Sequence, residues 1–163
     1  MSQLVMADEL RRFVTEVFLD TGMPEADAAW TAETLVQAEL RGTSSHGVIR
    51  IPDYANRLKT GANNPVPGIK IVKDAGALAL MDGDNGMGQV VSKRGMEECL
   101  DRAGKHNVGV VIMQRSNHFG AAGIFAALAL DRGMVGLVTT NTVRVIAPFG
   151  GKEKQIGNNP VSI

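Results

Sequence analysis

Apolar positions in the first sixty residues recur at helical spacing. Leu10, Phe13, Val14, Val17 and Phe18 fall at i, i+3, i+4, i+7 and i+8, which predicts a helix from Asp8 to Thr21, stopped by Gly22. Pro24 suits the first turn of a second helix, with Glu25 and Asp27 at the positive end of its dipole. That helix is expected to run to about Arg41 and to bury Ala29, Trp30, Ala32, Leu35, Val36 and Leu40. A third helical segment is expected from Pro52 to about Lys59, closed by Gly61. The stretch from Asn63 to Gly68, with two prolines, then interrupts the pattern. It divides the chain into a helical N-terminal domain, residues 1–68, and a second domain, residues 69–163.

Beyond Gly68 the pattern changes. Ile69–Lys73 and Ala77–Met81 read as two short strands turning at Asp74-Ala-Gly76. A helix follows from Gly88 to about His106, then a continuous apolar run, Val108–Met113, expected as a fully buried strand. A loop, Ser116-Asn-His-Phe-Gly120, leads to a helix over Ala121–Asp131, and Met134–Thr140 is expected as another buried strand. The remainder is irregular until Val161, where a strand begins. By itself this order suggests a parallel β-α-β sheet.

A hydrophobic content of 44% with 21% charged residues is that of a soluble globular protein. Only 4% is aromatic, so aliphatic side chains and methionine must fill the core. The longest apolar runs are too short to span a bilayer, and no basic-then-apolar leader opens the chain. Cys99 is alone and cannot form an internal disulfide, so a reducing, cytoplasmic location is expected. Net charge is zero, which gives nucleic acid no hold. The charge is uneven, however: acids dominate up to Arg41 and bases after it, and the more positive body suits an anionic substrate or cofactor.

Candidate chemistry concentrates in Arg41-Gly-Thr-Ser-Ser-His46-Gly-Val-Ile-Arg50-Ile-Pro-Asp-Tyr54. His46, Arg50 and Tyr54 are spaced i, i+4, i+8, which on a helix stacks a proton-transfer group, a fixed cation and a phenol on one face. Such a face suits a small carboxylate. Pro52 leaves two geometries: a helix bent there, or a helix that starts there with His46 on the loop before it. The plainer reading makes Thr43-Ser44-Ser45 a helix cap and His46 a surface residue. A second candidate, Ser116-Asn117-His118-Phe119-Gly120, lies past the end of a strand, where sheet proteins place their chemistry, with a helix N-terminus at Ala121–Ala122 beyond it. There the plain alternative is a turn-forming Asn117 and a solvated His118. His106, beside Lys105, reads as a cation at a helix C-terminus.

Other motifs fail on chemistry. Gly86-x-Gly88 imitates a dinucleotide fingerprint, but Val91 stands where a third glycine is required, and Asp82 and Asp84 would repel a pyrophosphate. Cys99 sits among Glu97, Glu98 and Asp101, which disfavour a thiolate. No histidine pair has metal-ligand spacing, so no metal is expected.

Together, Arg41-Gly-Thr-Ser-Ser-His46-Gly-Val-Ile-Arg50 and Ser116-Asn-His118-Phe-Gly-Ala-Ala-Gly123 resemble the type-2 malate/L-lactate dehydrogenase family. Gly83-Asp-Asn-Gly-Met-Gly-Gln89, Ala147-Pro-Phe-Gly-Gly151 and Gly157-Asn-Asn-Pro160 agree, the last with Asn158 where the family has Thr. The resemblance implies an α+β fold. A helical N-terminal domain precedes part of a two-layer α/β sandwich domain that is not a Rossmann fold. It also implies hydride transfer between NAD or NADP and carbon 2 of a small 2-hydroxy or 2-oxo acid, in a homodimer. It places His46 and His118 on acid–base positions, Ser45, Arg50, Tyr54 and, more loosely, Thr142 on the substrate wall, and His118, Gly120, Asn159 and Pro160 at the cofactor. Of the two histidines, His46 is favoured as proton donor because Arg50 shares its face, with His118 orienting substrate oxygen or nicotinamide. Family members are about twice as long, so an N-terminal piece, or a degenerate short paralogue, is expected. The alternative function is a non-catalytic binding or assembly module that keeps the substrate face without turnover.

Overall fold

The computed structural model describes residues 4–163. Three helices open the chain: α1 (Ala7–Leu19), α2 (Glu25–Leu40) and α3 (Ile51–Lys59). Gly22, at φ +86°, supplies the left-handed turn after α1. Val14 and Phe18 of α1 meet Ala28, Ala32 and Leu35 of α2 and Tyr54 and Leu58 of α3 in one apolar cluster. Met87 and Val90, at the start of the next long helix, belong to the same cluster. The core therefore runs across the Asn63–Gly68 segment and ties later chain to the helical unit.

A hairpin follows, β1 (Lys70–Ala75) antiparallel to β2 (Leu78–Asp82). Helix α4 (Gly88–His106) then crosses to β3 (Val110–Gln114), which lies parallel to β2. Asn107, at φ +65°, ends α4 in the left-handed conformation. The turn of the hairpin is Gly76-Ala77, and buried Arg102 of α4 pins it by donating to Asp74 at 2.7 Å and to the Gly76 carbonyl. That guanidinium holds the Asp74 carboxyl down to about 2. One face of this mixed, three-stranded sheet packs on α4, and the result is a two-layer α+β arrangement, not a Rossmann sheet. Backbone contact is close there: a Cβ on Gly109 would lie 2.0 Å from the Cys99 carbonyl oxygen.

Several expectations change: Ala29 and Leu40, expected on the buried face of α2, are exposed, and the hairpin turns at Gly76-Ala77 instead of Asp74-Ala-Gly76. Val108–Met113 was expected as a fully buried strand; the strand is Val110–Gln114, and Ile112 is 61% exposed because no described residue covers the sheet's second face. Met134–Thr140 contributes only β4 (Val138–Thr139), which pairs antiparallel with β5 (Val161–Ser162). The Ala121–Asp131 helix is α-helical only as α5 (Ala122–Ala126) and tightens to a 3₁₀ turn over Ala127–Arg132. So short a helix has little dipole to offer an anion. No helix is long and apolar enough to cross a membrane among the described residues.

Candidate active site

Of the two geometries open at Pro52, the second is adopted. Helix α3 starts at Ile51 with Pro52 in its first turn, and His46 ends a separate 3₁₀ turn, Ser44–His46. Glu39, in the last turn of α2, organises this loop: it accepts from the Ser44 hydroxyl at 2.7 Å and from the Val48 amide at 2.9 Å. Gly47 admits the carboxylate, since a Cβ there would lie 2.1 Å from Glu39 Oε1.

The second candidate loop folds against the first. His46 and His118 stack, with ring centroids 5.5 Å apart and planes inclined by 24°. Tyr54 is buried in α3, and its hydroxyl meets His118 Nδ1 at 2.5 Å. The Ser45 hydroxyl meets His46 Nδ1 at 2.9 Å. Arg50 donates from Nε to the Ser45 carbonyl at 2.7 Å, and its two terminal nitrogens have no partner among the described residues. A guanidinium braced at Nε with its outer edge free is set for a carboxylate.

Sequence reading missed the frame behind His118. The Asn117 side chain donates to the carbonyl of Gly86 at 2.9 Å and to Asn85 Oδ1 at 3.0 Å, and accepts from Arg57 of α3 at 3.0 Å. Gly88 lets the loop approach: a Cβ on it would lie 2.3 Å from the Asn117 carbonyl oxygen and 2.4 Å from that of His118. Gly88, one of the glycines that imitate a dinucleotide fingerprint, thus serves a backbone contact that places a histidine. Glu39 carried a usable signal, a carboxylate at the negative end of a helix where it is disfavoured without a partner. Gln89, also missed, is fully buried beside this frame.

Electrostatics favour a neutral pair at the centre. Burial, then the Arg50 charge, pushes His46 below its ordinary value. Burial, Arg50 and His46 push His118 down, with Asp53 acting weakly the other way. Burial pushes the Tyr54 phenol up to about 12.

Gly120, at φ +83°, borders the histidines. A Cβ on it would come no nearer than 3.8 Å to Gln89 Nε2 and the His46 carbonyl oxygen, so open backbone faces the pair. Thr142, Asn159 and Pro160 form a separate group. The Thr142 amide donates to Asn159 Oδ1 at 3.0 Å, the Asn158 amide to Thr142 Oγ1 at 2.8 Å, and the Thr140 amide to the Pro160 carbonyl at 3.3 Å. No hydrogen bond joins this group to His46, Tyr54 or His118 among the described residues. Cys99 donates to the Gly109 carbonyl and is pushed up by burial, in keeping with an unreactive thiol.

Two histidines, a phenol and an arginine with a free outer edge thus meet on a mixed α+β scaffold, groups able in chemistry to move a proton and to pair with an anion. The malate/L-lactate dehydrogenase family matches residues 5–163, and the chain belongs to that family. It is 47% identical over 153 residues to the L-sulfolactate dehydrogenase of Methanocaldococcus jannaschii, covering 94% of this chain and 44% of that protein. The malate dehydrogenase of Pyrococcus abyssi is 42% identical over 156 residues, which are 96% of this chain and 43% of the relative. Among solved structures, malate dehydrogenase from Pyrococcus horikoshii OT3 superposes with a TM-score of 0.94 at 41% identity, over 96% of this chain and 45% of that one. The chain thus spans less than half the length of the relatives it matches.

Proposed function

We propose that this chain carries the carboxylate-binding and proton-transfer half of an NAD(P)-dependent dehydrogenase of small 2-hydroxy acids. The observation that carries the reading is the meeting of His46, His118 and Tyr54, from segments far apart in the chain, beside the free edge of Arg50. Arg50 grips the substrate carboxylate in a two-point fork, and Ser45 and Tyr54 shape the same wall. Bound reduced nicotinamide would supply the hydride to carbon 2 of a 2-oxo acid. The open backbone at Gly120 fits a flat ring there, so His118 and Gly120 are the proposed contacts of the nicotinamide. Asn159 and Pro160 are proposed for the remainder of the cofactor, and Thr142 for the substrate side.

As the carbonyl becomes an alkoxide, its oxygen takes the proton from His118 Nε2, and His118 Nδ1 takes the phenol proton of Tyr54. The transfer is favourable because an alkoxide is a stronger base than a phenolate, and both histidines are held neutral. This exchanges the roles expected from sequence. His118 rather than His46 is the proposed donor, since His118 alone is backed by a buried phenol. His46, stacked on it and paired with Ser45, orients the substrate oxygen. In the reverse direction the same groups move the proton back.

A homodimer and a cytoplasmic location belong to the same proposal. The bare sheet face, with Leu78 and Ile112 more than half exposed, offers apolar surface for association. The test is consumption of reduced nicotinamide, NADH and NADPH separately, over a panel of 2-oxo acids. Turnover of at least one small 2-oxo acid is expected. A protein that binds such acids and oxidises no nicotinamide would be a binding module instead.

A further inference from the structure

Gln89 is fully buried, yet neither its amide oxygen nor its nitrogen completes a hydrogen bond among the described residues. Burying an amide without a partner forfeits its hydrogen bonds to water, so a native protein that keeps one needs a reason. Its place is fixed from behind. Gln89 follows Gly88 in the first turn of α4, and its backbone carbonyl accepts the Trp30 indole N–H at 3.0 Å. Nε2 stands 3.8 Å from where a Cβ on Gly120 would be, so the amide reaches the wall beside the histidines. The same carboxamide lies near the Tyr54 hydroxyl, short of a completed hydrogen bond, and pulls against the effect of burial on the phenol. The order of neighbours is therefore Gln89, Tyr54, His118.

A phenol has one proton to give, and Tyr54 can direct it to His118 Nδ1 or elsewhere. An amide N–H accepts none. We propose that Gln89 is a positioning residue: its N–H engages the Tyr54 oxygen, turns the phenol proton toward His118 Nδ1, and so keeps the His118 proton on Nε2. That nitrogen is the one that hands a proton to the substrate. The catalytic use of this arrangement rests on the dehydrogenase reading; the hydrogen-bond order does not.

The test is nitrogen NMR of the chain labelled at its histidines, with exposed His106 as internal reference. His118 in the unaltered protein should be the Nε2–H tautomer; an Nδ1–H tautomer there overturns the proposal with no variant needed. Gln89→Met should move the tautomer ratio about five- to tenfold toward Nδ1–H, the effect of one ordinary hydrogen bond. Gln89→Glu, read at a pH high enough to ionise the buried carboxyl, can only accept a hydrogen bond from the Tyr54 hydroxyl and should reverse the tautomer, a result that loss of structure cannot imitate. In a Tyr54→Phe background neither change should move His118 further. An unchanged tautomer in both variants, or an equal shift without the Tyr54 hydroxyl, makes Gln89 a space-filler. A chain that passes this test and turns over no 2-oxo acid retains the Gln89 role and loses the dehydrogenase reading. One that turns over and fails the test loses only the role of Gln89.

Discussion

Gly88→Ala probes how tightly the site is built into the fold. The added Cβ would lie 2.3 Å and 2.4 Å from two successive backbone carbonyl oxygens, those of Asn117 and His118. Neither opposing atom is the end of a flexible side chain, so α4 and the loop must separate. Overpacking costs about 1–3 kcal/mol, and opposition from backbone puts this case at the upper end. Alanine returns up to about 1 kcal/mol of helix propensity, leaving a net loss of about 2 kcal/mol. For a chain of this size that is a fall in Tm of about 4–8 °C. Gly104 on the same helix is the control, because a Cβ there meets nothing within 4 Å. Gly104→Ala should raise Tm by about 2–4 °C from propensity alone. Thermal denaturation followed by circular dichroism reads both, and the His118 resonance should move only in Gly88→Ala as the Tyr54 hydrogen bond breaks. A Gly88→Ala protein that melts as high as the parent, with His118 unmoved, would refute the close packing on which the site depends.

Arg50→Lys keeps the charge and loses the fork, so it should raise KM more than it lowers kcat for 2-oxo acids; an unchanged KM would rule Arg50 out as the carboxylate's partner. His118→Ala should lower kcat by ~10²–10⁴-fold; if His46→Ala abolishes turnover while His118→Ala preserves it, His46 is the donor. His46 and His118 both lie below their ordinary values, so folding disfavours their protonated forms. The stability they contribute is complete above about pH 6.5 and lost as pH falls through their lowered folded values, with Arg50 adding to the effect and Asp53 opposing it at His118. Tm should therefore drop below pH 6.5 less steeply in a His46→Asn, His118→Asn double variant, and an unchanged slope would refute this. The isolated chain should self-associate through its bare sheet face; a sharp monomer boundary in sedimentation velocity would rule that out.

Much of the fold was legible because helical period is a strong signal. The spacing of Leu10, Val14 and Phe18 located α1, and the prolines and glycines bracketed α2 and α3 to within a few residues. The sheet was harder. An apolar run such as Val108–Met113 reads as buried on both faces, but burial depends on what packs there, and the second face is bare. The stretch Met134–Thr140 shows the same limit: apolar character does not pair a strand, and only two residues find a partner in β5. The reactive groups were visible individually, since histidine, arginine and tyrosine advertise chemistry. Their meeting was not, because Tyr54 and His118 lie 64 residues apart and are joined only by tertiary packing. The supporting residues were least visible. Asn117, Arg57 and Gln89 act through backbone carbonyls and buried amides, which leave no spacing to read.

The central claim is hydride transfer to carbon 2, and isotope transfer tests it most directly. The protein is incubated with a small 2-oxo acid and reduced nicotinamide carrying deuterium at its hydride position, and the product is analysed by mass spectrometry. The account predicts a 2-hydroxy acid with one deuterium on carbon 2, formed in step with nicotinamide oxidation and suppressed in Tyr54→Phe. Oxidation of nicotinamide with no deuterium in the acid, or no oxidation with any 2-oxo acid, would contradict it.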